Sequence, residues 1–360
     1  MNNQFIPDYA ISPGEILEEE LDIRKMSQRE LSEKTGLSTK HISQIINAKA
    51  PVTPETALKF ERVLGMPARY WLNLETLYQE ALTRIADKEK LESYKEWFKL
   101  FPNTTLRKLG FTQKYTDISD NVDSLLRFFG IGSPDEYENV WGKIGVQYRQ
   151  DNRSKMCPYS SAAWLRAGEI QAHNMVCSPY SEDDFKQALI NIKKLTTESD
   201  PKIFIPKLVE ICSAVGVAVV FVPCFPNTGI SGATRWLSPD KAIIQLSLRY
   251  KTNDHLWFTF FHEAGHILLH GKKSLHLEYN KSSSLIEEEE IEANDFAQKQ
   301  LIPSPVWRQI MERRIYSEAY IKEIAKELGI AEGIIVGQLQ HHKKIPYSTL
   351  NYLKVRYAWN

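Results

Sequence analysis

Apolar residues along this chain recur at two spacings, and the change from one to the other divides it. In the first eighty residues they fall three and four apart between clear stop signals, the mark of short amphipathic helices. Pro13 opens a helix through Ile16, Leu17 and Leu21. Ser27 caps a second, with Glu30 three residues on completing a capping box; Leu31 faces inward and Gly36 ends it. Ser38 caps a third, Thr39 to Asn47, with Ile42, Ile45 and Ile46 on one face. Pro51 and Thr53 start a fourth that ends at Gly65, and Pro67 leads into a fifth holding Tyr70, Trp71 and Leu74.

Two helices joined by a tight Gly-containing turn inside a five-helix set make a helix-turn-helix pattern. Residues 80–155 read as a charged helical connector, from the Glu80–Lys99 run to Asp123–Phe129, broken by Gly130, Gly132 and Pro134. From about 156 helices at Ala162–Ala172 and Glu182–Leu195 precede strand-like runs at Val217–Val222 and Ala242–Leu248, with a Gly229–Gly232 turn region between them. A polar loop and an acidic helix from Leu285 follow, and the chain is helical again after Pro303 and Pro305. The expected fold class is mainly α, with an α+β C-terminal part around a small sheet. The expected divisions are 1–79, 80–155, 156–310 and 311–360.

Composition narrows this little. Lys+Arg and Asp+Glu both total 45, so overall charge does not point to a polyanionic partner. Cys157, Cys177, Cys212 and Cys224 lie far apart with no Cys-x-x-Cys pair, which suits reduced thiols of a cytoplasmic protein. The N-terminus lacks the basic-then-apolar order of a signal peptide, and no run approaches the roughly 18 apolar residues of a membrane span. A soluble, cytoplasmic protein is expected.

The chemistry concentrates in Phe260-Phe261-His262-Glu263-Ala264-Gly265-His266. His262 and His266 stand four apart, so on a helix they share a face and can bind one metal ion, with Glu263 beside them as a base. Leu256, Trp257, Phe258, Phe260, Phe261, Ile267, Leu268 and Leu269 make that helix almost wholly apolar. Two imidazoles and a carboxylate in such a setting need a compensating partner, since unpaired buried polar groups are expensive. A zinc ion supplies one. A catalytic zinc commonly has three protein ligands, and the acidic stretch Glu287 to Asp295 offers carboxylates, part of which must face inward because it merges into Ile291, Phe296, Ala297 and Leu301. His270, one turn on, reads as a supporting partner of the ligands, a core histidine or an exposed one. His255, His276, His341 and His342 read as surface residues.

The pair His-Glu-Ala-Gly-His and Glu-x-Glu-Ala-Asn-Asp-Phe-Ala resembles the ImmA/IrrE-type metallopeptidases, a gluzincin-like group. The resemblance implies a zinc site of His262, His266 and Glu290, with Glu292 as the alternative third ligand and Asn294 supporting the ligand glutamate. It implies a hydrolytic mechanism in which Glu263 is general base and then acid. The strand Ala242–Leu248 is the candidate cleft edge to which a peptide adds.

The segments Pro-Gly-Glu-Ile-Leu (13–17), Ser-Gln-Arg-Glu-Leu (27–31), His-Ile-Ser-Gln-Ile-Ile-Asn (41–47) and Tyr-Trp-Leu-Asn-Leu (70–74) resemble HigA-type antitoxins of the Xre repressor class. That resemblance implies that the helix from Thr39 enters the major groove of operator DNA, with Thr39, Lys40 and Gln44 reading bases. Gln28, Ser38, Ser43, Asn47 and Lys49 then suit phosphate or sugar contacts. Residues 1–79 carry 9 basic and 11 acidic side chains, a net −2, but residues 24–49 carry 6 against 2, a local +4. A homodimer on a palindromic operator would make up for so focused a field.

The whole chain therefore resembles a HigA-like reader fused to an ImmA/IrrE-type peptidase. The expected function is an autorepressing regulator or antitoxin whose partners are operator DNA and a cognate toxin or Xre-type regulator. The alternatives are a signal-activated protease that cuts itself or a partner repressor, and a non-catalytic zinc-binding antitoxin that grips a toxin.

Overall fold

A computed structural model of the chain describes residues 10–142, 157–247, 249–270 and 283–357. It is mostly helical, with one three-stranded sheet in the C-terminal part. Two compact units are present: one takes in the chain as far as Phe98 together with Lys114–Ser124, the other Lys99–Gln113 and the chain from Leu125.

In the first unit, α1 (Pro13–Ile23), α2 (Gln28–Thr35), α3 (Thr39–Ile46) and α4 (Pro54–Leu64) each begin at a side-chain cap. The hydroxyls of Ser12, Ser27, Ser38 and Thr53 accept from a backbone N–H three residues on. Each such cap is worth about 1 kcal/mol. Gly36, at φ 69°, closes α2 in the left-handed conformation that glycine adopts without strain. The apolar faces of these helices meet in a core of Leu17, Leu31, Ile42, Ile45, Phe60 and Trp71.

The fifth helix, α5 (Ala68–Ser93), is far longer than its neighbours. No Gly or Pro interrupts those 26 residues, so the expected boundary at 79 falls inside one continuous helix. Three helices follow: α6 (Lys95–Lys99), α7 (Asn103–Lys108) and α8 (Ile118–Phe129).

In the second unit α9 (Pro158–His173), α10 (Glu182–Leu195) and α11 (Pro201–Ser213) lead into strands β1 (Val217–Phe221), β2 (Gly232–Ser238) and β3 (Lys241–Leu246). Helix α11 and strand β2 are additions to the sequence expectation. The strand order is β1-β3-β2, with β3 parallel to β1 and antiparallel to β2. Ile244 is thus paired with both Val219 and Thr234. This corrects the expectation that Ala242–Leu248 forms a free cleft edge. Its backbone is used in ladders on both sides, and β2 is an edge instead. An apolar run reads alike in any buried strand, so its place in the sheet is not legible locally.

The sheet supports α12 (Asn253–Gly265), which passes into a π turn at His266–His270. Against α12 pack α13 (Ser283–Leu301) and α16 (Glu332–His341); α14 (Ser304–Glu312) and α15 (Glu318–Leu328) lie between them in sequence. One apolar core runs from Phe185 to Tyr357 and includes Trp257, Phe260 and Phe261. Burying each such side chain stabilises the unit by about 2–3 kcal/mol. Residues 311–357 therefore belong to the same core as the helix that bears His262. The expected polar loop after α12, with His276, lies outside the described residues.

Candidate functional site

Helix α12 buries Leu256, Trp257, Phe260, Phe261 and Ala264, which leaves His262 and His266 together on the face turned to α13. The two helices approach closely at Gly265. A Cβ there would lie 3.1 Å from Phe296 Cδ1 and 3.2 Å from Ala293 Cα. A larger residue would push α13 away, and with it the carboxylate that α13 delivers.

That carboxylate is Glu290. Its Oε1 lies 3.2 Å from His266 Nε2 and its Oε2 3.3 Å from His262 Nε2, while the two Nε2 atoms are 3.1 Å apart. These three residues form the one group of potential metal ligands among the described residues, with ligand atoms within 4.8 Å of one another. Glu292, the alternative third ligand, is placed differently. Its Oε2 lies 3.0 Å from His270 Nε2.

The outer partners fix which nitrogens carry protons. Asn294, expected to support the glutamate, supports His262 instead: its Oδ1 lies 3.1 Å from His262 Nδ1, where an Nδ1–H would donate to it and leave Nε2 facing Glu290. His266 Nδ1 is 2.9 Å from His270 Nδ1, and His266 Nε2 faces the same point as His262 Nε2. Two imidazole nitrogens and a carboxylate then converge on one point, an arrangement that a cation, whether metal ion or proton, satisfies. The same demand shows in protonation. Burial, the largest influence on Glu290, opposes its charge, but the His262 and His266 hydrogen bonds outweigh it and hold the carboxyl well below the usual range. Burial likewise opposes a charge on His262, yet the Glu290 hydrogen bond and the Glu263 and Glu290 charges raise its pKa.

The donor set fits zinc. Ligand atoms about 2.1 Å from a tetrahedral ion sit roughly 3.4 Å apart, close to the three separations found here. Glu263 stands behind the two histidines and is only 6% exposed. Burial pushes its carboxyl pKa up, partly offset by His262 and His266. Strand β2 supports it: Thr234 Oγ1 donates to the Glu263 backbone oxygen at 3.2 Å, and Gly232 lies against its side chain. Both act from a strand about thirty positions away, so spacing alone does not link either to Glu263.

The remaining histidines behave as expected of surface groups. His255 is exposed and stacks on Tyr250 with ring centroids 4.2 Å apart, and His341 and His342 are exposed.

In the first unit, Ser38, Thr39 and Lys40 form the exposed start of α3, and Asn47 and Lys49 are exposed at its end. Gln28, Ser43 and Gln44 are half-buried. The Ser38 hydroxyl accepts from His41 N–H at 3.1 Å, so its own proton is left for a further partner. Asn47 Nδ2 donates to the Ser43 backbone oxygen at 2.7 Å, which ties two candidate DNA contacts together.

Comparison with known proteins divides the chain as the fold does. Residues 17–71 match the Helix-turn-helix family, and residues 212–339 match the IrrE N-terminal-like domain of the M78 peptidases. The HTH-type transcriptional regulator YddM of Escherichia coli (strain K12) is 35% identical over 69 residues, which cover 19% of this chain and 73% of YddM. Virulence-associated protein I of Dichelobacter nodosus is 35% identical over 82 residues, 22% of this chain and 73% of that protein. Among solved structures, an addiction module antidote protein of the HigA family from Coxiella burnetii is 33% identical, covering 23% of this chain and 92% of its own, with a TM-score of 0.22.

Proposed function

We propose, for a chain that belongs to the helix-turn-helix family of transcriptional regulators through residues 17–71 and carries an IrrE N-terminal-like peptidase domain over residues 212–339, that it is an autorepressing, antitoxin-like regulator with a zinc-dependent peptidase in the same molecule. The observation that carries the catalytic half is the convergence of His262, His266 and Glu290 beside the buried Glu263. On this reading residues 1–79 bind operator DNA as a homodimer in the cytoplasm, and 80–155 connect them to the peptidase. Residues 156–310 hold the peptidase site, and 311–360 follow as a helical extension whose described part, as far as Tyr357, completes its core. The partner is a cognate toxin or an Xre-type regulator, and the peptide cut belongs to that partner or to this chain.

His262, His266 and Glu290 would hold the zinc. When bound, zinc lowers the pKa of a coordinated water to about 7 and polarises a carbonyl. Glu263, its pKa raised by burial, would accept a proton and return it to the leaving amine nitrogen. Strand β2, whose Gly232 lies against this carboxylate, is an edge of the sheet. A substrate peptide adding there as a further strand would have its backbone fixed by ladder hydrogen bonds. Asn294 orients His262 through Nδ1.

Two measurements test the halves separately. The full chain should retard DNA from its own promoter region in a gel-shift assay, with affinity falling steeply as salt rises; no shift at micromolar protein in low salt removes the DNA half. Purified protein should hold one zinc per chain, and Glu263→Gln should keep that zinc yet lose cleavage of a quenched-fluorescence peptide library. Cleavage that survives in the variant overturns the role given to Glu263.

A further inference from the structure

His270 and Glu292 continue the site outward from His266. The π turn at His266–His270 closes over a wider span than an α turn and sets His270 beside His266. Their Nδ1 atoms are 2.9 Å apart, and the rings meet with centroids 5.0 Å apart. His270 Nε2 lies 3.0 Å from Glu292 Oε2. The His270 side chain is 8% exposed, whereas Glu292 is 63% exposed.

An ionised carboxylate only accepts hydrogen bonds, and that sets the direction of the whole line. Glu292 accepts from His270 Nε2–H. The Nδ1 of His270 is then unprotonated and accepts from His266 Nδ1–H. His266 is left with its Nε2 lone pair aimed at the point it shares with His262 Nε2 and Glu290. Each tautomer follows from the one before, starting at the carboxylate. His262 receives the same instruction in one step from Asn294.

We propose that Glu292 is a positioning residue acting through His270, the two together fixing the tautomer and ring orientation of His266 for metal binding. The inference rests on the metal-site reading above. Glu292 touches neither ion nor substrate, and its effect on the metal passes entirely through His270. Outer-shell partners of ligand histidines are commonly worth about tenfold to a hundredfold in metal affinity.

Zinc affinity of the full chain, measured by competition with a chromophoric chelator, decides this through a double-mutant cycle. Glu292→Ala and His270→Ala should each weaken zinc binding by roughly tenfold to a hundredfold. The double variant should be no weaker than His270→Ala alone. Glu292→Gln keeps an oxygen that accepts from His270 and should restore affinity to within a few-fold of wild type. The thermal midpoint of the metal-free Glu292→Ala protein should match that of wild type, which separates positioning from folding. If Glu292→Ala still weakens binding in the His270→Ala background, Glu292 acts directly on the metal and the relay is overturned. Wild-type affinity in all three single variants overturns it too, while leaving the metal site intact. A wild-type protein with no measurable zinc affinity overturns the metal site itself and the relay with it.

Discussion

Gly232, the first residue of β2, sits directly against the carboxylate of Glu263: a Cβ at Gly232 would lie 2.6 Å from Glu263 Oε1 and 2.5 Å from Thr259 Cγ2. Real Cβ atoms do not come so close, so any larger residue there must displace the base or the strand. The absence of a side chain at one position therefore sets where the carboxylate stands.

Gly232→Ala should lower peptidase activity at least tenfold while leaving zinc affinity within a few-fold of wild type, because the atoms nearest a Cβ there belong to Glu263 and Thr259, not to His262, His266 or Glu290. Overpacking of this kind costs about 1–3 kcal/mol of stability. Activity assays beside zinc competition check it; equal loss of zinc and activity would place the effect in the ligands.

Glu263→Gln should stabilise the metal-free protein near pH 7. The buried carboxyl has a raised pKa, so its contribution to stability is present in acid and is lost as pH rises through the ordinary carboxylate value toward the folded one. Above the ordinary carboxylate value the buried carboxyl is a burden that glutamine lacks. Thermal melts of both proteins at pH 4 and pH 7 should show the variant's advantage growing with pH.

Tyr357 closes the C-terminal end of the same core, accepting from Trp257 Nε1 at 3.2 Å. Burial, the main cause, pushes its pKa up to about 12. The phenol is raised in the folded state, so its stabilising contribution is complete below pH 10 and lost between pH 10 and 12. Two pKa units amount to about 2.7 kcal/mol. Wild type should lose stability over that window more steeply than Tyr357→Phe, as read by denaturant titration at pH 9 and pH 11.

On DNA, Gln44→Ala and Lys49→Ala should fail in different ways. The first removes a candidate base contact and should cost about 1–3 kcal/mol on the operator and little on unrelated DNA. The second removes a candidate phosphate contact, weakens both, and lowers the salt slope by about one. Fluorescence anisotropy on the two DNAs at several salt concentrations distinguishes them.

Much of the first unit was legible because its signals are local. Ser27 and Glu30, or Ser38 and His41, act across three residues, and the helix ends they set need no partner from elsewhere in the chain. His262 and His266 were legible for the same reason, since four residues of helix place both on one face. Strand β2 was not: Gly232, Ala233, Thr234 and Arg235 carry no strong alternation, and only pairing with Gln245 and Ile244 makes them a strand. The length of α5 was obscured by its charge, which looked like a connector although nothing in it breaks a helix.

By itself the sequence determined the helix-turn-helix module, the mainly helical class and the two histidines with their neighbouring glutamate. Those depend on caps, periodicity and spacing within a few residues. The tertiary structure set Glu290, the residue the resemblance favoured, against the histidines, and it alone decided that Glu292 meets His270 instead, that β3 is central, and that Gly232 backs Glu263. Each of these joins positions some twenty or more residues apart. Such approaches are set by how closely α12 and α13 pack at Gly265 and how the sheet is ordered, and helix and strand periodicities do not encode either.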